Sequence, residues 1–246
     1  MVKKGQIGLF MLFGVIGAIG ILFLISVRVD SPVAPSIEMD SAPVSEYVQQ
    51  CLLEVGTQGI RDLGLSGGFM TYTHQGDEMH MEIPYYWMQG ENRMPSIEII
   101  EINLEQYIHE MLPECIGNFE GFPPGVTIEQ GVMRPDVHIG TDSVELLLNF
   151  PVTITQDSAI TTLTEFHTSV TIPFRYYFDT MHIFMAEQER VGNEFPVSFV
   201  TALAGERDFV YIYDQLDDNT VILTLHFEDE SYTYSFGLKY DWEAEV

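Results

Sequence analysis

The stretch that decides the fold is DFVYIYDQLDDNTVILTLHFEDESYTYSFGLKYDW, residues 208–242. Apolar and aromatic side chains recur at every second residue along three segments of this stretch, which is the period of a half-buried β-strand. The recurring residues are Phe209, Tyr211, Tyr213, then Val221, Leu223, Leu225, Phe227, and then Tyr232, Tyr234, Phe236, Leu238, Tyr240. Polar, mostly acidic clusters at 217–219 and 229–231 separate the segments and are typical of turns. The stretch therefore predicts three consecutive strands.

The region before this stretch also contains strand-like segments. Residues 127–172 predict a meander, because the segments 144–154 and 160–172 are rich in Val, Ile, Leu and Thr. We expect its turns at 140–142 and 157–158, where small and acidic residues cluster.

Two predicted helices flank a predicted hairpin further upstream. Apolar residues at three- and four-residue spacing predict helices over 44–63 and 96–112, and Pro113 is expected to end or kink the second one. The hairpin lies between the helices, with strand-like segments at 69–73 and 79–86 joined by a turn that contains Gly and Asp.

The remaining helical signals complete an α+β pattern. Apolar spacing predicts a helix over 174–190 and a short helix over 197–203. Within the first helix, Gly56 and Gly59 are expected to weaken the second half, and Gly64 can end it. We expect an α+β fold in which two helices flank a hairpin and a mostly antiparallel β-sheet contains one inserted helix.

The N-terminal segment predicts a membrane anchor. Residues 7–27 form an uncharged run from Ile7 to Val27, which as a helix rising ~1.5 Å per residue would span roughly 30 Å, the thickness of a hydrocarbon core. Lys3 and Lys4 precede this run, so the positive-inside rule predicts a cytoplasmic N-terminus and an extracellular C-terminal domain. The predicted parts are a basic leader and transmembrane helix at 1–29, a Pro- and Ser-rich stalk at 30–43, and an acidic α+β ectodomain at 44–246, which is either one body or the two subdomains 44–125 and 126–246.

Small residues within the predicted anchor suggest a helix contact. Gly14 and Ala18 form a small-xxx-small pair, a spacing that lets two membrane helices approach closely. The pair predicts self-association through the anchor. The alternative is that these residues reflect only the frequency of glycine in membrane helices.

The start of the chain also resembles a known signal. Lys3-Lys4-Gly5-Gln6-Ile7-Gly8-Leu9-Phe10 is similar to the class III signal of archaeal type IV pilin-like proteins, a basic leader ending in Gly before an apolar helix. The resemblance implies cleavage between Gly5 and Gln6 and covers about the first tenth of the chain. The family usually has Glu at the fifth mature position, where this chain has Phe10. More broadly, the chain resembles small archaeal surface proteins that join such a start to a Cys-containing α+β ectodomain, which implies a location rather than an activity.

The charge balance restricts the classes of partner. All 37 acidic residues lie after the predicted anchor, where only seven Lys and Arg remain, a formal charge of −30. This balance argues against nucleic-acid binding and against adsorption to anionic membranes, both of which need clustered cations. Three interpretations remain open: adaptation to high salt, weak binding of divalent cations by carboxylates, and an ordinary acidic solvated surface.

The two cysteines predict a disulfide. Cys51 lies on the apolar face of the first predicted helix, and Cys115 lies just after the second. In an extracellular domain a bridge between them would stabilise the fold by about 4 kcal/mol in the chain-entropy model. The alternative is a pair of reduced, buried cysteines.

The sequence contains no convincing catalytic motif. It has no P-loop, no nucleophile elbow, no Cys-x-x-Cys and no zinc-protease pair of histidines. We therefore predict no enzyme activity and no cofactor.

Two weaker candidate sites stand out. Glu78, His80 and Glu82 would share one face of a strand and could hold a metal ion, although a half-solvated strand shows the same alternation. The aromatic run Tyr85-Tyr86-Trp87 predicts a contact patch, with core packing as the alternative.

These observations favour a non-enzymatic function. The leading hypothesis is a membrane-anchored component of the cell surface or envelope that acts in adhesion or in pilin-like filament assembly. A second hypothesis is a membrane-tethered binding module or an accessory of a secretion system. A third, favoured least, is an extracellular hydrolase that uses a pair of carboxylates.

Overall fold

The computed structural model describes residues 41–69, 72–75, 78–81, 83–227 and 232–242. Four α-helices lie within these residues: α1 (Ala42–Leu65), α2 (Ile97–Ile116), α3 (Phe174–Val191) and α4 (Val197–Arg207). The predicted α+β class is confirmed, and the three longer helices begin and end within about one turn of their predicted bounds.

The same part of the chain contains eleven β-strands. They are β1 (Tyr72–Gln75), β2 (Glu78–Met81), β3 (Tyr85–Met88), β4 (Glu91–Asn92), β5 (Val126–Gln130), β6 (Arg134–Ile139), β7 (Ser143–Gln156), β8 (Ala159–Thr171), β9 (Phe209–Asp217), β10 (Thr220–Phe227) and β11 (Tyr232–Lys239). The short strands β1 and β2 pair only with each other, as an antiparallel hairpin.

The C-terminal stretch forms most of a five-stranded sheet with the order β4-β3-β11-β10-β9. The three predicted strands are confirmed, and each pairs antiparallel with its neighbour in sequence. β3 joins this sheet in parallel beside β11, and β4 pairs antiparallel with β3 at one edge. β9 forms the other edge.

The predicted meander forms a second, four-stranded sheet built around β7. β8 pairs with β7 along one side, while β6 and β5 pair with successive halves of its other side. The register of β7 and β8 shifts between Asn149 and Val152, at Pro151. Proline lacks an N–H and is tolerated at such a bulge. Alternate residues of β7 are buried, so one face of this sheet packs on the core and the other is solvated.

The predicted hairpin and single sheet require correction. β2 ends at Met81, and the last two residues predicted to complete it, Tyr85 and Tyr86, belong instead to β3 in the five-stranded sheet. The physical reason is a set of long-range contacts. The Tyr86 ring stacks on Phe236 at a centroid distance of 4.5 Å, and the Tyr86 hydroxyl lies 2.7 Å from that of Tyr234.

The predicted disulfide is confirmed and joins α1 to α2. Cys51 and Cys115 are bonded, with their Cα atoms 5.7 Å apart. Pro113 does not end α2, which continues to Ile116. The Tyr47 hydroxyl donates to the carbonyls of Cys115 and Ile116 at 2.9 and 3.2 Å, so α1 satisfies acceptors that a helix C-terminus normally leaves without partners.

α1 packs closely against three other elements because it carries glycines. A Cβ at Gly56 would collide with Leu146 of β7, one at Gly59 would meet the Tyr107 ring of α2 at 2.6 Å, and one at Gly64 would collide with the Thr233 carbonyl of β11. Buried residues of both larger sheets and of the helices form one contiguous hydrophobic cluster.

Within the described residues, no helix combines the length and the apolar character that a membrane span requires. The predicted anchor at 7–27, the signal residues Gly5 and Gln6 and most of the predicted stalk lie outside the described residues.

Candidate contact surface

The predicted aromatic patch is not a contact surface. Tyr86 and Trp87 are almost completely buried, and the half-buried Tyr85 lies against the backbone of Gly237, with the Lys239 ammonium 5.8 Å from the ring centroid. The prediction of an exposed patch was wrong and the alternative, core packing, is correct for Tyr86 and Trp87. The Tyr86 ring packs on Phe236, and its hydroxyl bonds to Gly67 and Tyr234, contacts that composition alone does not reveal.

The predicted metal site at Glu78, His80 and Glu82 stays a prediction. Glu78 and His80 lie on β2, where they pair with Gln75 and Thr73 of β1, and Glu82 lies outside the described residues. No group of three or more potential metal ligands occurs among the residues whose positions are described. Gly14 and Ala18, the predicted helix-contact pair, also lie outside that part.

The free edge of the four-stranded sheet at β6 is closed by α2. The Glu101 Oε1 atom accepts a hydrogen bond from the Ile139 N–H at 2.8 Å, and Glu105 Oε1 accepts one from the Val137 N–H at 3.2 Å. The two glutamates are one helical turn apart, and the two amides are two residues apart on the strand. Side chains on one face of α2 therefore replace a neighbouring strand.

The two edges of the five-stranded sheet differ strongly. At one edge, β4 is only two residues long, which leaves few backbone groups for another chain to pair with. At the other edge, β9 is nine residues long and pairs with β10 on one side only. In the four-stranded sheet, β8 is a long edge as well, since it pairs only with β7 among the described strands. β9 differs from β8 in its apolar side chains, because β8 exposes one large hydrophobic residue, Ile160, and β9 exposes four.

The side chains of β9 are also exposed. Phe209 is buried, but Val210, Ile212, Tyr213 and Leu216 expose 49, 47, 54 and 65% of their surface. These residues belong to both faces of the strand. The sequence predicted a core-facing row at Phe209, Tyr211 and Tyr213, and only the first of these is fully buried. Natural sheet edges are usually protected by Lys, Pro, bulges or covering elements. β9 has a register shift near Leu216, but residues 209–215 pair regularly with β10 and include three of the exposed apolar side chains, so this part of the edge is a candidate contact surface.

A second feature lies on the four-stranded sheet. Glu145 Oε2 and His167 Nε2 are 2.8 Å apart, and the Ser143 hydroxyl donates to Glu145 Oε1 at 2.7 Å. The Ser143 hydrogen bond and the contact with His167 lower the pKa of the Glu145 carboxyl below its ordinary value. Both the hydroxyl and the imidazole contact the carboxylate, which differs from a Ser-His-carboxylate triad, where the hydroxyl contacts the imidazole.

A cleft of about 470 Å³ lies beside this cluster. Its walls contain residues of both charge signs, an amide from α1 and apolar side chains: Gln49, Arg134, Asp136, Leu147, Leu148, Asn149, Glu165, Phe166 and His167. Such a mixture can bind a small polar molecule. Sequence analysis missed both this cleft and the β9 edge, because each depends on the order of strands within a sheet.

No family model, curated protein or solved structure matches this chain.

Proposed function

We propose that this chain is a membrane-anchored component of the cell surface that acts through protein contact rather than catalysis, in adhesion or in a pilin-like filament. The N-terminal apolar run from Ile7 to Val27 supports the anchor, and Lys3 and Lys4 support an extracellular C-terminal domain. The disulfide between Cys51 and Cys115 supports an oxidising compartment.

The observation that carries the contact role is the difference between the sheet edges. α2 uses two carboxylates to close β6, and β4 is only two residues long. β8 and β9 are both long edges, but β8 exposes a single large apolar side chain, whereas β9 exposes four. An edge of this kind adds to another strand through main-chain hydrogen bonds, which is a common mode of recognition.

The topology is tested on whole cells. A full-length chain with an epitope tag after Val246 should stay in the membrane fraction when membranes are washed at high pH. Protease added to intact cells should remove the tag. A cytoplasmic marker that stays intact controls for cell lysis. A tag that is protected until the cells are broken would contradict the extracellular orientation.

Processing is tested separately. N-terminal sequencing of the protein isolated from its membrane should begin at Gln6 if a prepilin-type peptidase cleaves the leader, and a Gly5→Leu variant should keep its leader. Fibres seen by electron microscopy for the processed protein alone would favour the filament role over the role in adhesion.

The cleft on the four-stranded sheet supports a second candidate, a membrane-tethered binding module. Its charged residues include Arg134 and Glu165, which could bind the two ends of a zwitterionic molecule. Millimolar glycine and other amino acids should then raise the melting temperature of the wild type and not of Arg134→Ala. An equal melting temperature with and without every amino acid would remove this candidate.

A further inference from the structure

The β9 edge is suited to one occupant in particular. Its exposed apolar residues lie on the same strand as two carboxylates, Asp214 and Asp217, so a partner strand must present apolar side chains and keep its own carboxylates away from these positions. β9 itself meets this requirement when two copies run antiparallel. Twofold symmetry is also the commonest arrangement of homo-oligomers.

We propose that two copies of this chain associate by pairing their β9 strands antiparallel, with Ile212 of one copy opposite Ile212 of the other. The two five-stranded sheets then form one continuous sheet of ten strands. This inference goes beyond the proposed surface role and does not depend on the membrane anchor.

The register follows from the charges together with the regular part of β9, because residues 209–215 are centred on Ile212 and the register shift near Leu216 lies beyond them. With Ile212 opposite its symmetry mate, Asp214 lies opposite Val210 of the second copy, and Tyr211 lies opposite Tyr213. In this alignment Asp217 lies beside the start of the second copy's β9, two residues after Arg207. No carboxylate of β9 then lies opposite another. A shift that centres the pair on Asp214 would place two carboxylates face to face, which is destabilising.

The contact is expected to be weak and to depend on salt. A single strand pair buries less surface than the about 800 Å² per partner of a standard stable interface. Each copy also carries a formal charge of −27, so the copies repel each other at low ionic strength. Dimer formation should therefore increase as salt is added, whereas a cationic peptide on the same edge would bind more weakly.

Site-specific cross-linking tests the register in the full-length protein in detergent. Since both native cysteines are bonded to each other, Ile212→Cys introduces one free thiol, and in the dimer its Cα lies within disulfide range of its symmetry mate. Val210→Cys is the matched control, since it is equally exposed but lies roughly 13 Å from its mate along the strand.

Mild oxidation in about 2 M NaCl should link most of the Ile212→Cys protein into dimers and at least tenfold less of the Val210→Cys protein. Equal linking of both variants would indicate random collision and overturn the proposal. Preferential linking of Tyr213→Cys would overturn the register.

A second variant tests the edge without a new thiol. Ile212→Lys should lower the dimer fraction measured by light scattering at least tenfold, because a lysine on the edge opposes strand pairing. Ile160→Lys on β8 adds the same charge at a position that is 69% exposed, and should leave the dimer fraction unchanged or raise it. A wild-type protein that stays monomeric at every salt concentration would overturn the proposal. That result would not change the outcome expected from the topology experiments, which test the membrane anchor separately.

Discussion

At the residue scale, the closure of β6 depends on two side chains. Glu101 and Glu105 occupy the hydrogen-bonding positions that a neighbouring strand would otherwise fill. Their spacing is that of one helical turn, and any pair of glutamates at this spacing looks alike in a sequence. Only the position of α2 beside β6 gives these two a structural role.

Replacement of Glu101 tests that role. Glu101→Ala removes the acceptor of the buried Ile139 amide and should lower the free energy of unfolding by about 1–3 kcal/mol in urea denaturation. Glu101→Gln keeps an acceptor oxygen and should cost less than half as much. Glu110→Ala, at an exposed glutamate that bonds only to Gln106 on the same helix, should change stability by less than about 0.5 kcal/mol. Equal losses for Ala and Gln at position 101 would rule out the hydrogen bond as the cause.

The hydroxyls of the buried residues Tyr86 and Tyr234 should contribute unequally to the free energy of unfolding. The Tyr86 hydroxyl donates to the Gly67 carbonyl at 2.9 Å, and it also lies 2.7 Å from the Tyr234 hydroxyl. Tyr86→Phe breaks both contacts and leaves a buried carbonyl without this donor, so it should destabilise the protein by about 1–3 kcal/mol. Tyr234→Phe breaks only one contact and should cost less. Thermal unfolding of the two variants compares them, and a larger loss for Tyr234→Phe would contradict this order of donation.

Alkaline pH should destabilise the fold through the same residues. Burial, reinforced by the neighbouring tyrosine, raises the pKa of Tyr86 well above its ordinary value, and burial also raises the pKa values of Tyr232, Tyr234 and Tyr240. In the unfolded chain these groups ionise near pH ~10. Above that pH the unfolded state binds fewer protons than the folded state, so the free energy of unfolding should fall as pH rises.

The alkaline transition can be followed by phenolate absorbance together with near-ultraviolet circular dichroism. The last tyrosines to ionise should do so only as the dichroism is lost. Tyr232→Phe removes one of the four groups and should reduce the slope of stability against pH above ~10. Complete ionisation of all twelve tyrosines in a protein with native dichroism would contradict this account.

At the element scale, local periodicity predicts what an element is but not what it contacts. The 3.6-residue pattern predicted α1, α2 and α3, and the period of two predicted β9, β10 and β11, because each element buries a regular stripe of side chains. The same reasoning misplaced β3, whose partner β11 lies about 150 residues later in the sequence. It also placed the end of α2 near residue 112, with Pro113 expected to end or kink the helix, whereas α2 continues to Ile116. The Tyr47 hydroxyl that bonds the carbonyls of Cys115 and Ile116 belongs to another helix.

The glycines of α1 show this limit. In the sequence they suggest a weak or ending helix, yet α1 continues through all of them. Their role is to let other elements approach, and this predicts a graded result. Gly64→Ala should destabilise the protein by about 1–3 kcal/mol in urea denaturation, because the new Cβ would collide with the Thr233 carbonyl, which is fixed in the sheet.

Two other glycines serve as comparisons for Gly64. Gly56→Ala collides only with the end of the Leu146 side chain, which can rotate, and it should therefore cost less. Gly205→Ala lies in α4 with no atom near the new Cβ, and it should stabilise the protein by about 0.5–1 kcal/mol through helix propensity. Equal effects at Gly64 and Gly205 would exclude close packing as the explanation.

At the scale of the whole molecule, composition predicts environment better than it predicts sites. The charge balance and the apolar N-terminal run suggest where the protein acts. The disulfide was predicted from one cysteine on the apolar face of the first predicted helix and one just after the second. The contact surface was not predictable. An aromatic run such as Tyr85-Tyr86-Trp87 has the same composition whether it is buried or exposed, and β9 has the same pattern as β10 although only one of them is an edge strand. Strand order decides both cases.

The excess of negative charge should make the stability of the fold depend on salt. Uniform negative charge destabilises the compact state by self-repulsion, and salt reduces this because the screening length falls from about 10 Å at 0.1 M to about 3 Å at 1 M. The melting temperature should therefore rise by several degrees between these concentrations of NaCl. Replacing three exposed carboxylates by amides, Glu46→Gln, Glu114→Gln and Glu206→Gln, should raise the melting temperature at low salt and reduce its salt dependence. Sucrose at equal osmolality controls for water activity and should stabilise both proteins equally. An unchanged salt dependence in the triple variant would mean that salt acts on hydration rather than on charge repulsion.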